Sequence, residues 1–414
     1  MRANFHLKTL TVAVATLSVI SVANAAGLDR SGQDITAFLQ DGTYAEAVYT
    51  YIDADVTGHD NAYVGSDKNA YQKGDKIGDI AESYDFFRYG VKTDINDTFS
   101  VGVLYDEPFG AAADYTGNNN FVDATGEGTN VEVRTESITS ILGAKFGQNK
   151  NFQVYGGPVA QRVEANVKLR GSAYEAANGY TTNINADQDY GYIAGLAYSK
   201  PEIALKASLT YRSEIEHNAQ ASEIYPVVGS GLIPAPVVSA LGLSTTRVDS
   251  IEITTPESVN FDFQTGINPT TLATAKVRWV PWSDFAIVPS LYNDVSKVST
   301  RDDKGLALVS YDDDQWQVEL GLAKRVAPAL AISGTVGWDS GAGNPVTSLG
   351  PIEGYYSAGL GAKYNVTENW AVSAGGKYLW FGDAKGQIPT KKIVSDFESN
   401  DGFVLGVKLS YQAQ

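Results

Sequence analysis

The stretch Asp401-Gly-Phe-Val-Leu-Gly-Val-Lys-Leu-Ser-Tyr411 near the C-terminus decides the fold. Large apolar residues occupy every second position from Phe403 to Tyr411, and Gly406, Lys408 and Ser410 lie between them. Successive side chains of a β-strand point to opposite faces. The stretch is therefore predicted to be a strand with one apolar face and one polar face.

The same alternation recurs in three other stretches, at 203–212, 258–264 and 370–380. A soluble β-sandwich alternates too, but here the apolar faces end in Tyr or Trp, as they do where an aromatic girdle meets a membrane interface. The polar faces carry Lys, Arg and Asp in mid-strand, which fits a wet lumen. We therefore predict an all-β, transmembrane β-barrel.

The connection lengths support this prediction. Strands are expected at about 44–56, 82–95, 97–108, 130–147, 151–169, 187–200, 203–217, 253–267, 271–294, 306–326, 329–340, 354–366, 369–382 and 401–411. Short turns alternate with the long connections 57–81, 109–129, 170–186, 218–252, 295–305, 341–353 and 383–400, as in outer-membrane barrels. Fourteen antiparallel strands return the C-terminus to the short-turn side. Residues 284–313 allow more than one division between the ninth and tenth strands.

The N-terminus predicts two further segments. Residues 1–25 combine a basic start, an apolar run and the cleavage site Ala23-Asn24-Ala25, which indicates a secretory signal peptide. The barrel then occupies 44–414, and 26–43 is left over. This leftover carries Leu28, Ile35, Phe38 and Leu39, and is predicted to fold inside the barrel as a plug, or hatch.

Composition excludes several classes of function. A formal net charge of −17 disfavours binding to nucleic acid. The chain has no cysteine, and its histidines and acids show no zinc-ligand spacing. It also has no nucleophile elbow and no phosphate-binding glycine loop. We expect no metal, no cofactor and no catalytic residue.

The chain resembles the FadL-type family of outer-membrane transporters for long-chain fatty acids and hydrophobic compounds. The resemblance rests on 254–266 (TTPESVNFDFQTG), on 277–285 (VRWVPWSDF), on 105–111 (YDEPFGA) and on the C-terminal Gly406-x-x-Leu409-x-Tyr411. It implies a fourteen-stranded barrel with a hatch, extracellular loops that capture the ligand, an apolar pocket that holds it, and a kink in the third strand that opens the wall sideways.

The resemblance suggests roles for particular residues. Pro108 cannot donate to a strand ladder and Gly110 weakens it, so Pro108, Phe109 and Gly110 are the predicted lateral gate; an ordinary strand end is the alternative. The family also implies a ligand-carboxylate contact near Arg162, on a predicted lumen face with Glu164, Lys168 and Arg170; a salt bridge to Glu164 is the alternative. The other predicted ligand contacts are apolar: Leu28, Ile35, Phe38, Leu232, Val237 and Leu241. The last three lie in connection 218–252, with a short helix near 236–242, where loops packing on one another is the alternative.

The predicted function is passive uptake of hydrophobic small molecules, whether fatty acid, alkane, aromatic or terpenoid. The expected partners are that ligand, outer-membrane lipid and lipopolysaccharide, and the barrel-assembly machinery, with the protein acting as a monomer. A general hydrophilic porin, an acyl hydrolase using a serine with His217, and an adhesin barrel are the alternatives. The apolar leftover segment would clog an open pore, which disfavours the porin.

Overall fold

The computed structural model describes residues 28–413, so the predicted signal peptide lies outside the described residues. The main sheet has seventeen segments that form fourteen strands, three of them interrupted. The strands are β1 (Thr43–Asp55), β2 (Tyr84–Asp94), β3 (Phe99–Asp106 with Gly110–Asp114), β4 (Asn130–Phe146), β5 (Phe152–Lys168), β6 (Thr181–Lys200), β7 (Leu205–Arg212 with Ile215–Ile224), β8 (Thr246–Thr255 with Ser258–Asn268), β9 (Thr271–Val280), β10 (Gln315–Ala327), β11 (Leu330–Asp339), β12 (Tyr355–Asn365), β13 (Trp370–Phe381) and β14 (Asp401–Ala413). The predicted fourteen strands are confirmed.

The sheet closes on itself because the first and last strands pair. β1 and β14 are antiparallel from Thr43↔Ala413 to Asp55↔Asp401. In lipid an unpaired backbone group costs several kcal/mol, so a sheet that spans a membrane must leave no free edge. Closure between the chain ends meets this requirement, and the barrel fold class is confirmed.

The outer surface carries an apolar band between two girdles of aromatic residues, one near each end of the strands. On β12, Tyr356 and Tyr364 are exposed near the two ends of the strand, and Leu360, midway between them, is 75% exposed. On β14, Phe403, Leu405 and Val407 face outward as predicted, while Lys408 on the opposite face is buried. Lipid-facing apolar residues therefore alternate with lumen-facing polar ones.

The connections are short at one end of the barrel and long at the other. The short turns are 95–98, 147–151, 201–204, 269–270, 328–329 and 366–369. The long connections are 56–83, 115–129, 169–180, 225–245, 281–314, 340–354 and 382–400. Three of the long connections join in a five-stranded sheet made of Gly58–Asn61, Lys73–Ile77, Val346–Thr347, Ala384–Gln387 and Ile393–Phe397.

Two helices lie in the long connections. Helix α1 (Ala235–Ala240) matches the short helix predicted near 236–242. Helix α2 (Ser290–Thr300) corrects a prediction, because the ninth strand ends at Val280 and not at residue 294. Proline has no N–H to donate to a ladder, so Pro281 ends that strand, and Pro289 pre-sets the start of the helix. Within 28–413 no helix is both long enough and apolar enough to cross a membrane.

Candidate functional site

The leading segment, residues 28–42, lies inside the barrel and is held there by charged lumen residues. Asp29, only 1% exposed, accepts two hydrogen bonds from Arg278, at 2.7 Å from Nε and 3.0 Å from Nη2. Asp34 pairs with Lys276 at 3.1 Å and with Arg88 at 3.6 Å. Buried charges are tolerated where they are paired and hydrogen-bonded. The polar lumen face thus supplies the partners that hold the segment in place.

The second half of this segment packs against the wall. Ile35 and Phe38 are fully buried, and the Phe38 ring lies 5.7 Å from the ring of Tyr155. Gly102 of β3 leaves room for Phe38, because a Cβ at that position would lie 2.7 Å from the Phe38 Cδ2. Ile35 and Phe38 therefore contact the barrel wall, and they do not line the two apolar chambers described below.

β3 is interrupted at the predicted gate. Residues 107–109 leave the ladder, and the strand resumes at Gly110. At the break the leading segment pairs with β3: the Arg30 N–H donates to the Pro108 carbonyl at 2.8 Å, and the Gly110 N–H donates to the Leu28 carbonyl at 2.7 Å. The strand bends inward at the break, so that the hatch backbone supplies hydrogen-bond partners to the Pro108 carbonyl and the Gly110 N–H.

This break opens a window in the wall between β2 and β3. The β2–β3 ladder ends at Tyr89↔Tyr105, whereas Gly110–Asp114 forms its ladder with β4 and none with β2. A single bridge, Ala81↔Ala113, closes the window on the long-loop side. The window lies just beyond the exposed aromatic residues Phe87 and Tyr89, on the long-loop side of the apolar band.

Two apolar chambers lie behind the window. The larger has a cavity volume of about 50 Å³ and is lined by residues such as Leu28, Ile80, Val131 and Val133. The smaller, with a cavity volume of about 10 Å³, lies against Phe109, Trp282 and Phe285. Leu28, Val133 and Ile287 line both chambers, so the two are adjacent. Their linings carry no charged side chain, and their polar groups belong to threonines, Tyr311 and Trp282.

Outside the chambers, the window opens into a polar cleft of about 440 Å³. Its charged residues are Arg30, Glu82, Asp85, Glu107, Glu132, Arg134, Glu136, Arg162 and Glu164. Ala112 lines both this cleft and the larger chamber, and Thr135 lines both the cleft and the smaller one. Ala112 and Thr135 thus form part of the wall between the apolar chambers and the outer cleft.

The predicted lumen orientation of Arg162 and Glu164 is wrong. Gln161 and Val163 are the buried residues there, whereas the Arg162 side chain is 53% exposed and pairs with Glu164 at 3.4 Å. Beyond the aromatic girdle the outer face of β5 lies at the polar interface of the membrane, so its outward positions are polar while the apolar positions line the chambers. Arg162 borders the outer cleft and does not enter either chamber.

The predicted capture residues lie in connection 225–245. Leu232 is 75% exposed and Leu241 is 54% exposed, and both face outward, while Val237 packs partly against the apolar core. The side chains that turn inward from this connection are neighbours of the predicted ones, Ile233 and Leu243. The connection therefore offers an exposed apolar surface at the long-loop end.

His217 fills a second interruption of the wall, between β6 and β7. The ladder is broken between Arg212↔Ile193 and Ala221↔Ile184. The His217 ring is fully buried; its Nε2 lies 3.1 Å from the Gln161 Oε1 and its Nδ1 lies 3.5 Å from the Asp187 Oδ2. Among the described residues, the polar partners of His217 are thus the Gln161 amide and the Asp187 carboxylate, and a serine is not one of them.

Sequence reasoning missed Arg30, Val133 and Ile287, which meet at the window and the chambers. Trp282 belongs to a motif that the sequence presented, and its ring meets Phe109 edge-on at 5.5 Å. Arg30, Val133 and Ile287 are brought to the site only by the strand register, and no local sequence pattern identifies them as site residues.

The structure thus combines a plug inside a closed barrel with a strand break beside an apolar chamber. The family model described as "Outer membrane protein transport protein (OMPP1/FadL/TodX)" matches residues 13–412. The chain belongs to this family. Its long connections therefore face the cell exterior, as in other outer-membrane barrels.

Solved structures of FadL-type proteins share the fold. A crystal structure of a Pseudomonas aeruginosa FadL homologue superposes with a TM-score of 0.71 at 16% identity, covering 95% of this chain and 98% of that chain. The Ralstonia pickettii toluene transporter TbuX gives 0.58 at 10% identity, covering 94% and 95%. The Pseudomonas putida toluene transporter TodX gives 0.57 at 11% identity, covering 96% and 97%. Among curated proteins none matches the sequence significantly.

Proposed function

We propose that this FadL-type protein is a passive channel for hydrophobic small molecules that releases them sideways into the outer membrane. The exposed leucines of connection 225–245 capture the ligand, the two chambers hold it, and the window beside Pro108, Phe109 and Gly110 is its exit. The single observation that carries the proposal is the strand break at residues 107–109, beside which Ala112 lines both the larger chamber and the outer cleft.

A side exit is favoured by the free energy of the ligand. Each buried CH₂ group is worth about 0.8 kcal/mol, so a long alkyl chain loses on the order of 10 kcal/mol if it enters water. Release into the bilayer avoids this loss. The leading segment fills the lumen where Ile35 and Phe38 pack against the wall, which argues against a general porin.

The protein is proposed to work as a monomer in contact with outer-membrane lipid and lipopolysaccharide, and to be inserted by the barrel-assembly machinery after its signal peptide is removed. Transport chemistry of this kind needs no catalytic residue. In residues 28–413, no group of three or more His, Cys, Asp or Glu side chains is placed to hold a metal ion. The identity of the ligand among fatty acids, alkanes, aromatics and terpenoids is a separate question.

Substitution of Gly110 tests the exit. A Cβ at Gly110 would lie 2.3 Å from the Arg30 Cζ, so Gly110→Leu fills the window. We expect uptake of a radiolabelled long-chain ligand by cells to fall at least tenfold while the amount of folded protein in the outer membrane is unchanged. Gly78→Leu is the control, because nothing lies within 4 Å of a Cβ built there. Unchanged uptake in Gly110→Leu would refute the lateral exit.

A further inference from the structure

The wall of the barrel is also broken between β6 and β7. The ladder that joins these strands ends at Arg212↔Ile193 and resumes at Ala221↔Ile184. Along the missing stretch β6 stays paired with β5, and β7 stays paired with β8. The two strands therefore part from each other while each keeps its other neighbour, as β2 and β3 do at the window.

Side chains close this break. The buried His217 ring lies in it, with Nε2 at 3.1 Å from the Gln161 Oε1, which also accepts a hydrogen bond from the Thr255 hydroxyl at 2.6 Å. A β-bulge in β6 just before Asp187 re-aims that residue toward the histidine, so that its Oδ2 lies 3.5 Å from the His217 Nδ1. The side chains of Gln161, Asp187, His217 and Thr255 are called the latch below.

The latch is held by weaker contacts than a strand ladder. The His217 Nδ1 and the Asp187 Oδ2 are both buried, and within residues 28–413 neither atom has a hydrogen-bond partner. A buried polar atom without such a partner is costly. Side chains also change rotamer far faster than a segment of backbone unfolds. The break can therefore open by movement of the latch, without loss of further ladder.

The smaller apolar chamber lies behind the latch. Thr255 belongs to the latch and lines this chamber, and so does Val163, which is opposite Asp187 across the β5–β6 ladder. Phe109, beside the window in β3, lines the same chamber. One chamber thus borders both breaks of the wall.

The outer side of the break lies at the aromatic girdle. Tyr190 and Tyr192 are 65% and 53% exposed where the ladder stops, and the Tyr192 ring lies 5.9 Å from the ring of Tyr211. Such rings mark the membrane interface. Glu214 and Glu216 are exposed on β7 along the break. A molecule that leaves here reaches the bilayer, and these carboxylates repel it if it is an anion.

We propose that the break between β6 and β7 is a second lateral exit, which passes uncharged hydrophobic molecules from the smaller chamber into the membrane and is closed by His217. This inference rests on the proposed function, which assigns release to the window in β3, and adds another route. The lining of the smaller chamber carries no charged side chain, which suits the same uncharged class of ligand.

The first test opens the second exit in a chain whose window is filled. Cells that produce the full-length protein are given radiolabelled dodecan-1-ol, and uptake is compared at equal amounts of folded protein in the outer membrane. Adding His217→Ala to Gly110→Leu should raise uptake at least fivefold above that of Gly110→Leu alone. His59→Ala, which removes the same side chain from the sheet of the long connections, should leave the uptake of Gly110→Leu unchanged. Dodecanoate, which differs in the head group alone, should show no rise.

The second test locks the same exit reversibly. A Cβ at Gly191 would lie 2.6 Å from the Ser213 Oγ, so cysteines at these two positions place their sulfur atoms within bonding reach. The chain has no other cysteine. In the Gly110→Leu, His217→Ala chain, oxidation of this pair should return the uptake of dodecan-1-ol to the level of Gly110→Leu, and dithiothreitol should restore it. Because the same protein is compared in both states, a folding defect cannot produce this difference.

Three results would overturn the second exit: no rise on adding His217→Ala, an equal rise for dodecan-1-ol and dodecanoate, or uptake that does not respond to oxidation. If His217→Ala does not fold, or if Gly110→Leu alone keeps its uptake, the cysteine pair is placed in Gly110→Leu with His217 present. Loss of the remaining uptake on oxidation then supports the exit, and no loss refutes it. Wild-type uptake combined with any of these negative results refutes only this inference, whereas no uptake of dodecan-1-ol by the wild type refutes the proposed function as well.

Discussion

At the scale of single residues, the Asp29–Arg278 pair joins the hatch to the barrel wall. Both side chains are almost completely buried, at 1% and 6% exposure, and Gln317 also donates to Asp29, at 3.2 Å. Removing one partner of such a pair leaves the other charged group buried without compensation. The pair is therefore a sensitive point for the position of the whole leading segment.

Arg278→Ala is expected to loosen the hatch. Breaking a buried ion pair costs about 3–5 kcal/mol, and the hatch can escape that penalty by leaving its site without unfolding the barrel. In planar lipid bilayers we expect a steady ion conductance at least several-fold above that of the wild type, with the barrel still folded by circular dichroism. Lys324→Ala removes one exposed positive charge and is the control. Conductance equal to that of the wild type would contradict the anchoring role.

At the scale of elements, helix α2 depends on one buried carboxylate of β7. Glu223, 2% exposed, accepts hydrogen bonds from the backbone N–H groups of Leu291 and Tyr292, both at 2.9 Å, and from the Tyr180 hydroxyl at 2.8 Å. The first N–H groups of a helix have no partner within the helix, and a negative charge there also interacts favourably with the helix dipole. Glu223 therefore fixes the start of α2 against the barrel rim.

Glu223→Ala is predicted to release α2 while the barrel stays intact. Several buried donors lose their acceptor at once, each at about 1–3 kcal/mol, so amide hydrogens of 290–300 should exchange at least a hundredfold faster. Hydrogen exchange read by mass spectrometry measures this change. Glu216→Ala, at an exposed position on the same strand, should leave the exchange of α2 unaltered. Faster exchange across the barrel strands as well would show that Glu223 stabilises more than the helix.

At the scale of the whole molecule, the barrel depends on the match between its outer band and the bilayer. On β12 the exposed rings of Tyr356 and Tyr364 are eight residues apart, which is roughly 26 Å along the strand at about 3.3 Å per residue and roughly 20 Å of height at a strand tilt of about 40°. Outer-membrane barrels carry an apolar band about 25 Å tall between aromatic girdles. Leu360 therefore lies near the middle of the bilayer.

A charge at this level should destabilise the folded protein in lipid. Arginine at the midplane of a barrel costs about 2–4 kcal/mol, and near the interface about 0–1 kcal/mol. We expect Leu360→Arg to lower the free energy of unfolding in phosphocholine vesicles by the larger amount, measured by reversible urea titration. Asn166→Arg, on the outer face of β5 beyond the band, should fall in the smaller range. Equal effects at both positions would place the bilayer at another level.

Much of the barrel can be predicted from the sequence, because the information is local. Alternation along one strand, as in 401–411, depends only on which of two faces each residue occupies, and turn lengths are read directly from the gaps. Helix α2 was missed although Leu291, Val295 and Val298 have helical spacing, because a short apolar run in 284–313 fits a strand equally well. The gate was predicted from Pro108 and Gly110, whose backbone properties do not depend on their neighbours.

By itself, the sequence determined the closed fourteen-stranded barrel, the leftover segment for its lumen and the position of the strand break. Only the tertiary structure decided which face of β5 is polar, since Arg162 turns outward beyond the aromatic ring while Val163 lines a chamber. It also decided that Arg30 meets Tyr84 at the window. The physical reason is that the bilayer boundary and the strand register are properties of the assembled sheet: they set what each face touches, and no single strand contains that information.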